Sequence, residues 1–432
     1  DNTDYTIIFA ADLHLANRDS ANADMSQFRD GFMKDSQELT ATYGADKTYA
    51  IMLGDQTWDR YWYVQKYNPL NYYNTVKEYP VPMFNAMGNH DNDIYKSGDE
   101  AGEAYYKSVF GPSYYSFNIG EIHYIVLDNI VWRNIGGAEG VMGDRSFGKN
   151  IPQAQFDWLK YDLSLVENKD KPLFICLHCP MYNSYNETAT VQPAINGARG
   201  TEDIAALLAP FKNVHIFSGH THHNDTMVVN PNLMEHNIGA VCECWWWGGK
   251  YSGRGICADG TPAGYSIFEI KGTAIEWYYK GTGCERNEQF RSYDMNVVKE
   301  YLRNYIDTLN KQSDPVRDTA GDDYGALGEN IVYINVWNYD PEWTITVSEN
   351  GRPLTVNRVF ERDPLHTICY DILRIQNGGD LTGTNASTRN SHMFGVQASS
   401  AVSTLDISVT DRFGNTYTER MVRPKAYNIQ MK

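Results

Sequence analysis

No stretch of 18 or more consecutive apolar residues occurs in the 432-residue chain, so it offers no membrane-spanning helix. Positive charge is scarce: 37 Lys and Arg stand against 54 Asp and Glu, a net charge of −17. That balance argues against a general nucleic-acid binder, whose affinity rests on cations meeting phosphates. An anionic substrate would need local attraction instead, of the kind bound metal ions supply. The seven cysteines are too few, and wrongly spaced, for a disulfide scaffold. No secretory leader is visible, and the chain opens at Asp1 without Met, which reads as a processed start. The remainder is ordinary for a globular protein, 42% hydrophobic and 21% charged, with length for two or three domains and a large core.

What is present is organised around Gly88-Asn89-His90-Asp91. It follows the apolar run Val81 to Met87, which reads as a short buried strand ending in a glycine turn. Four other strand-like runs also end in oxygen or nitrogen ligands. Tyr5 to Ala11 leads to Asp12-Leu13-His14, and Tyr49 to Leu53 leads to Gly54-Asp55 with Asp59 beyond. Leu173 to Leu177 leads to His178-Cys179-Pro180, and Val214 to Phe217 leads to Gly219-His220-Thr221-His222. Open α/β sheets gather ligands beyond the carboxyl ends of their strands. The pool there is Asp12, Asp55 and Asp91, the Asn89 amide, and the imidazoles of His14, His90, His178, His220 and His222. That is more than one divalent ion needs and suits two.

In this order the five blocks D-x-H, G-D-x-x-x-D, G-N-H-D, H-x-P and G-H-x-H resemble the calcineurin-like metallophosphoesterases, over roughly residues 1 to 284. The resemblance implies an α/β fold, a four-layer β-sandwich flanked by helices. It implies Asp12, His14 and His222 on a first metal ion, Asn89, His178 and His220 on a second, and Asp55 bridging. It also implies phosphoester hydrolysis by metal-bound hydroxide, with His90 as the leaving-group acid. Asp91 is expected to fix the tautomer of His90, and Asp59 is a more remote candidate. Imidazole-rich sites suit Mn, Fe or Zn better than Mg or Ca. In the branch resembling purple acid phosphatases a Tyr ligand follows the bridging Asp by three residues; here that position is Trp58, which disfavours a ferric tyrosinate.

From Met295, Val298, Leu302, Tyr305 and Leu309, spaced as a connecting helix, the chain passes to alternating strands: Ile331 to Trp337, Trp343 to Val347, His392 to Ala398 and Leu405 to Thr410. They predict a smaller all-β sandwich, so the expected division is residues 1–284 and 285–432. Tyr333 to Trp337, Asp363-Pro364-Leu365, His392-Met393-Phe394 and Asp411 to Asn415 resemble the C-terminal domain of certain exported bacterial members. That implies a periplasmic or secreted protein. The substrate is then a small-molecule, lipid or glycan phosphoester; oligomeric state is not legible. A diester is favoured over a monoester, because Arg60 and Arg199 are the only cations near the blocks, while Trp58, Tyr182, Tyr185 and Trp245 to Trp247 supply apolar rings. A glycan- or envelope-binding protein with a vestigial metal site is the competing reading. Two further expectations concern cysteine and histidine. Cys244 and Cys257, with Cys242 as rival, are expected to bridge the Trp-rich loop. His123, His215, His223, His236, His366 and His392 are expected to be structural.

Overall fold

A computed structural model describes residues 3–18, 23–247, 253–303, 324–378 and 386–431. Two mixed sheets lie face to face. The first runs in the order Ala274–Gly281, Gly264–Lys271, Asp4–Ala10, Thr48–Leu53, Met83–Ala86. The second runs Asp225–Asn230, Leu233–Asn237, Val214–Ser218, Leu173–Cys176, Ile122–Val126, Tyr115–Ile119. The three strands Asp4–Ala10, Thr48–Leu53 and Met83–Ala86 are parallel, as are Leu233–Asn237, Val214–Ser218, Leu173–Cys176 and Ile122–Val126.

The side-chain alternation of each strand explains the layering. In Asp4–Ala10, Tyr5, Ile7 and Phe9 point to the second sheet, where they meet Tyr124, Phe174 and Phe217. The Phe9 and Phe217 rings stack with centroids 3.8 Å apart. Ile8 and Ala10 point the other way, onto Phe28 and Phe32. In the second sheet Leu173, Ile175, Val214 and Ile216 face outward onto Leu159 and Leu163 of helix Gln153–Leu165 and onto Ile204 and Leu208 of helix Thr201–Leu208. The result is helices, sheet, sheet, helices: the expected four layers. Strands buried on both faces read as continuous apolar runs, which is why they were legible.

The C-terminal region is all antiparallel. Phe290–Asp294, Ile331–Val336, Arg389–Gln397 and Val356–Arg362 form one sheet; Arg352–Leu354, Thr344–Glu349, Leu405–Thr410 and Thr416–Met421 form the other. Val332, Ile334 and Val336 meet Val347, Leu405, Ile407 and Val409 between them. We propose the division after residue 284, between strands Ala274–Gly281 and Phe290–Asp294. The helix expected to connect the regions, Met295–Arg303, lies instead within the C-terminal one, after its strand Phe290–Asp294; Tyr305 and Leu309 lie outside the described residues. Among the described residues no helix is long and apolar enough to cross a membrane.

The two regions share a buried polar seam. Fully buried Asp259 accepts a bond from the Asn224 amide nitrogen (2.8 Å) and lies 3.2 Å from His392 Nε2. Its carbonyl accepts from the side chains of Asn335 and Asn390. Every buried polar atom in this seam that finds a partner avoids a desolvation cost of about 1–3 kcal/mol.

The expected cysteine bridge is absent: all seven cysteines are buried free thiols. Each candidate sulfur lies against a different partner. Cys242 Sγ lies 3.7 Å from His222 Nδ1, Cys244 Sγ lies 3.2 Å from His366 Nε2, and Cys257 Sγ lies 3.7 Å from the Ala240 carbonyl.

Candidate metal centre

The five blocks converge at one end of the sandwich, each just past the end of its strand. The chain turns there by adopting left-handed backbone at non-glycine residues. Asp12 (φ 55°), His14 (44°), Asp55 (54°), His220 (70°) and His222 (56°) all do so. Such conformations cost about 1–3 kcal/mol each and concentrate at functional sites. Backbone bonds hold them: Asp12 N donates to the Gly54 carbonyl and His14 N to the Asp55 carbonyl.

The ligand atoms form two groups sharing one carboxylate. His14 Nε2 lies 3.6 Å from Asp12 Oδ1, 3.1 Å from His222 Nε2 and 3.5 Å from Asp55 Oδ2. His178 Nε2 lies 3.1 Å from the same Asp55 Oδ2, 3.2 Å from Asn89 Oδ1 and 3.2 Å from His220 Nδ1. Ligands about 2.1 Å from a tetrahedral ion stand about 3.4 Å from one another, so these spacings fit two ions. Asp12 Oδ1 is buried and finds no hydrogen-bond partner in the protein, as an oxygen reserved for a cation would.

Backbone contacts aim the rings. His178 Nδ1 donates to the Leu53 carbonyl (2.8 Å) and His222 Nδ1 to the Glu243 carbonyl (2.7 Å), which turns each Nε2 toward the centre. Asp12 Oδ2 accepts from the His220 amide nitrogen, and Asp55 Oδ1 from that of His90. Burial holds His14 and His220 well below the usual imidazole range and His222 at about 4, whereas the Asp55 carboxylate outweighs burial at His178 and holds it at about 9. Burial, with the neighbouring Asp55 carboxylate, pushes Asp12 up to about 7 against the pull of His178.

Gly88 is required by space. A Cβ there would lie 2.3 Å from both the backbone nitrogen and Oδ1 of Asp55. Gly88→Ala is therefore expected to displace Asp55, lowering bound metal and costing about 1–3 kcal/mol by overpacking. Metal analysis and a melting curve check this; an unchanged metal content would show that the turn has room.

His90 and Asp91 part company. Asp91 accepts from the backbone nitrogens of Gln56, Thr57 and Gly88 and from Thr57 Oγ1, bracing the turn and not touching His90. The residue beside His90 is Asp59, with Oδ1 2.7 Å from His90 Nδ1. Adjacent side chains diverge in a tight turn, so the sequence neighbour is the wrong partner. Arg145 completes the group: its Nε and Nη2 donate to Asp59 at 2.6 and 2.7 Å. Burial would raise the Asp59 carboxyl, but His90 and Arg145 outweigh it and hold the group below the usual carboxylate range. Burial would likewise depress His90, while Asp59 and Asp55 hold it above the usual imidazole value.

Sequence reasoning missed Arg145. It sits at the end of a loop closed over Asn134, whose side chain accepts from the Arg145 amide nitrogen and donates to the carbonyls of Ile94 and Lys96. No local motif announces this. Arg199 donates to the Ile151 carbonyl and Gln153, so it is not a pocket cation, and Arg60 is exposed. The three consecutive tryptophans separate. Trp246 is buried with Nε1 donating to the Leu13 carbonyl, and Trp247 lies under the Arg374 guanidinium at 3.9 Å. Trp245 lies in the site, 4.1 Å from the His14 ring and 4.9 Å from that of His222. Tyr182 and Tyr185 do not reach the cavity; Tyr185 packs on His223.

Residues 5–224, just over half the chain, match the family model for calcineurin-like phosphoesterase, and residues 235–417 match the model for the C terminal of calcineurin-like phosphoesterase. No curated protein matches the chain. Similar solved structures include a dimetal phosphatase from Danio rerio (12% identity, 65% of this chain, 97% of that one, TM-score 0.43). A purple acid phosphatase from yellow lupin (13%, 65% and 52%, 0.40) and a 5'-nucleotidase from Candida albicans (12%, 64% and 51%, 0.37) are also similar. Likeness this distant assigns no substrate. The described residues offer His and Asp groups that could hold metal, and the family match makes the chain a member of the calcineurin-like phosphoesterases and a metal-dependent phosphoric ester hydrolase.

Proposed function

We propose that the chain hydrolyses small phosphodiesters more readily than monoesters, at a two-ion centre bridged by Asp55. The observation that carries the two-ion reading is the Asp55 Oδ2 atom, within 3.5 Å of His14 Nε2 and 3.1 Å of His178 Nε2. Asp12, His14 and His222 hold one ion, and Asn89, His178 and His220 the other. Mn, Fe or Zn suits this donor set. Trp58 offers no oxygen, and its ring meets His14 edge-on at 6.0 Å, which supports the case against a tyrosinate centre. When bound, the ions lower the pKa of water and offset phosphoryl charge.

The chain's own residues do the rest. His90, held through Nδ1 by Asp59, keeps Nε2 for the leaving oxygen and protonates it. The cavity of about 360 Å³ suits a small molecule and not a polymer. Apart from His90, the cation among the described lining residues outside the ligand set is Arg145, whose charge Asp59 offsets. A dianionic monoester therefore gains no extra net positive charge, whereas a diester gains the Trp245 face for its second group. The small volume disfavours an intact lipid or a long glycan. Export to the periplasm or beyond belongs to this reading through the C-terminal segment alone.

A paired assay tests it. With Mn²⁺, kcat/KM for bis(nitrophenyl) phosphate is expected to exceed that for nitrophenyl phosphate by about tenfold, the worth of one aromatic contact. A clear preference for the monoester overturns the diester assignment.

A further inference from the structure

The cavity above the proposed ions is not built by the metallophosphoesterase sheets alone. Ala386 and Thr388, which lead into strand Arg389–Gln397 of the C-terminal sandwich, line it together with Trp245 and His223. Thr388 is fixed in place: its amide nitrogen donates to the Ala258 carbonyl (3.1 Å) and its Oγ1 lies 2.9 Å from His223 Nε2. His223 is 9% exposed, and its Nδ1 is buried without a protein partner. A buried polar atom of that kind beside a cavity is normally satisfied by a ligand or by water. Trp245 is equally fixed. Its backbone is left-handed (φ 62°), its carbonyl accepts from Arg18 Nη2, and its neighbours Trp246 and Trp247 are anchored on opposite sides.

The geometry points to a subsite for the second ester group of the substrate, with Trp245 as its aromatic face, Thr388 and His223 as its polar wall and the small Ala386 leaving room beside them. The C-terminal sandwich is then a specificity element of the active site. The group it accepts is ring-sized, a sugar or an aryl ring, because the cavity is short and one wall is a flat indole. This rests on the phosphodiesterase reading above and adds to it which part of the chain recognises the second group.

The test compares two diesters with the same leaving group, bis(nitrophenyl) phosphate and methyl nitrophenyl phosphate, in the full chain loaded with Mn²⁺. Ala386→Trp and Thr388→Trp each fill the subsite from a different residue. Each is expected to lower the ratio of kcat/KM for the bulky diester to that for the methyl diester by at least about tenfold. Ala386→Leu, which leaves the Thr388–His223 contact intact and is the milder change should a Trp variant fail to fold, is expected to lower the same ratio by about threefold. Metal content and near-UV circular dichroism confirm that the centre and the fold persist. An unchanged ratio in the folded variants overturns the subsite. Failure of the unmodified, metal-loaded protein to turn over either diester would instead overturn the phosphodiesterase reading beneath it.

Discussion

Asp55→Asn is expected to empty both metal positions at once and to lower kcat/KM by about 10³-fold, since several kcal/mol of transition-state stabilisation come from the ions. The reason is geometric. Asp55 Oδ1 accepts the His90 amide hydrogen at 2.7 Å. An amide that keeps this bond must place its NH₂ where Oδ2 now stands, between His14 Nε2 and His178 Nε2. A donor with no negative charge then occupies the one position both ions share. His14→Ala is different, because Asp12 and His222 remain on that side. It is expected to weaken one ion and leave the other. Metal analysis of the two variants reads the difference, and two ions retained in Asp55→Asn would overturn the bridging assignment.

His90→Ala is expected to lower kcat by about 10²–10⁴, the usual worth of acid–base catalysis, with metal content intact. His90 lies near His14 and Asp55, but its Nδ1 is committed to Asp59. The loss should shrink for nitrophenolate, a leaving group that hardly needs a proton, and grow for an alkoxide. Equal losses for good and poor leaving groups would remove His90 from that role. Asp59→Asn gives a graded companion, since Asp59 acts through His90 and should share its leaving-group dependence at a smaller size.

The parts of the molecule that were legible in the sequence are those that local rules decide. Strand Asp4–Ala10 is apolar on both faces because it is buried on both, and Asp12 with His14 follows at once. Asp55, His178 and His220 likewise follow buried strands and Asn89 follows the edge strand Met83–Ala86, so five strand ends sufficed to name the side chains that the fold brings together. What was not legible depends on long-range closure. Arg145 comes to Asp59 from 86 residues away, through a loop whose shape is set by Asn134. Asp91 is adjacent to His90 in sequence, yet its carboxylate turns to the nitrogens of Gln56, Thr57 and Gly88. Cysteine spacing suggested a bridge, but spacing says nothing of direction, and Cys244 points to His366 across the seam between the two regions. Thr388 carried no motif at all; only the docking of the C-terminal sandwich brings it to the cavity beside His223.

The central claim, a two-ion phosphoesterase, is tested most directly by stoichiometry measured together with turnover. Protein stripped with a chelator and titrated with Mn²⁺ is expected to bind two ions per chain, with hydrolysis of bis(nitrophenyl) phosphate appearing as the second position fills. Saturation at a single ion, or two bound ions with no turnover of any aryl phosphoester, would contradict it and favour a binding protein with a vestigial centre.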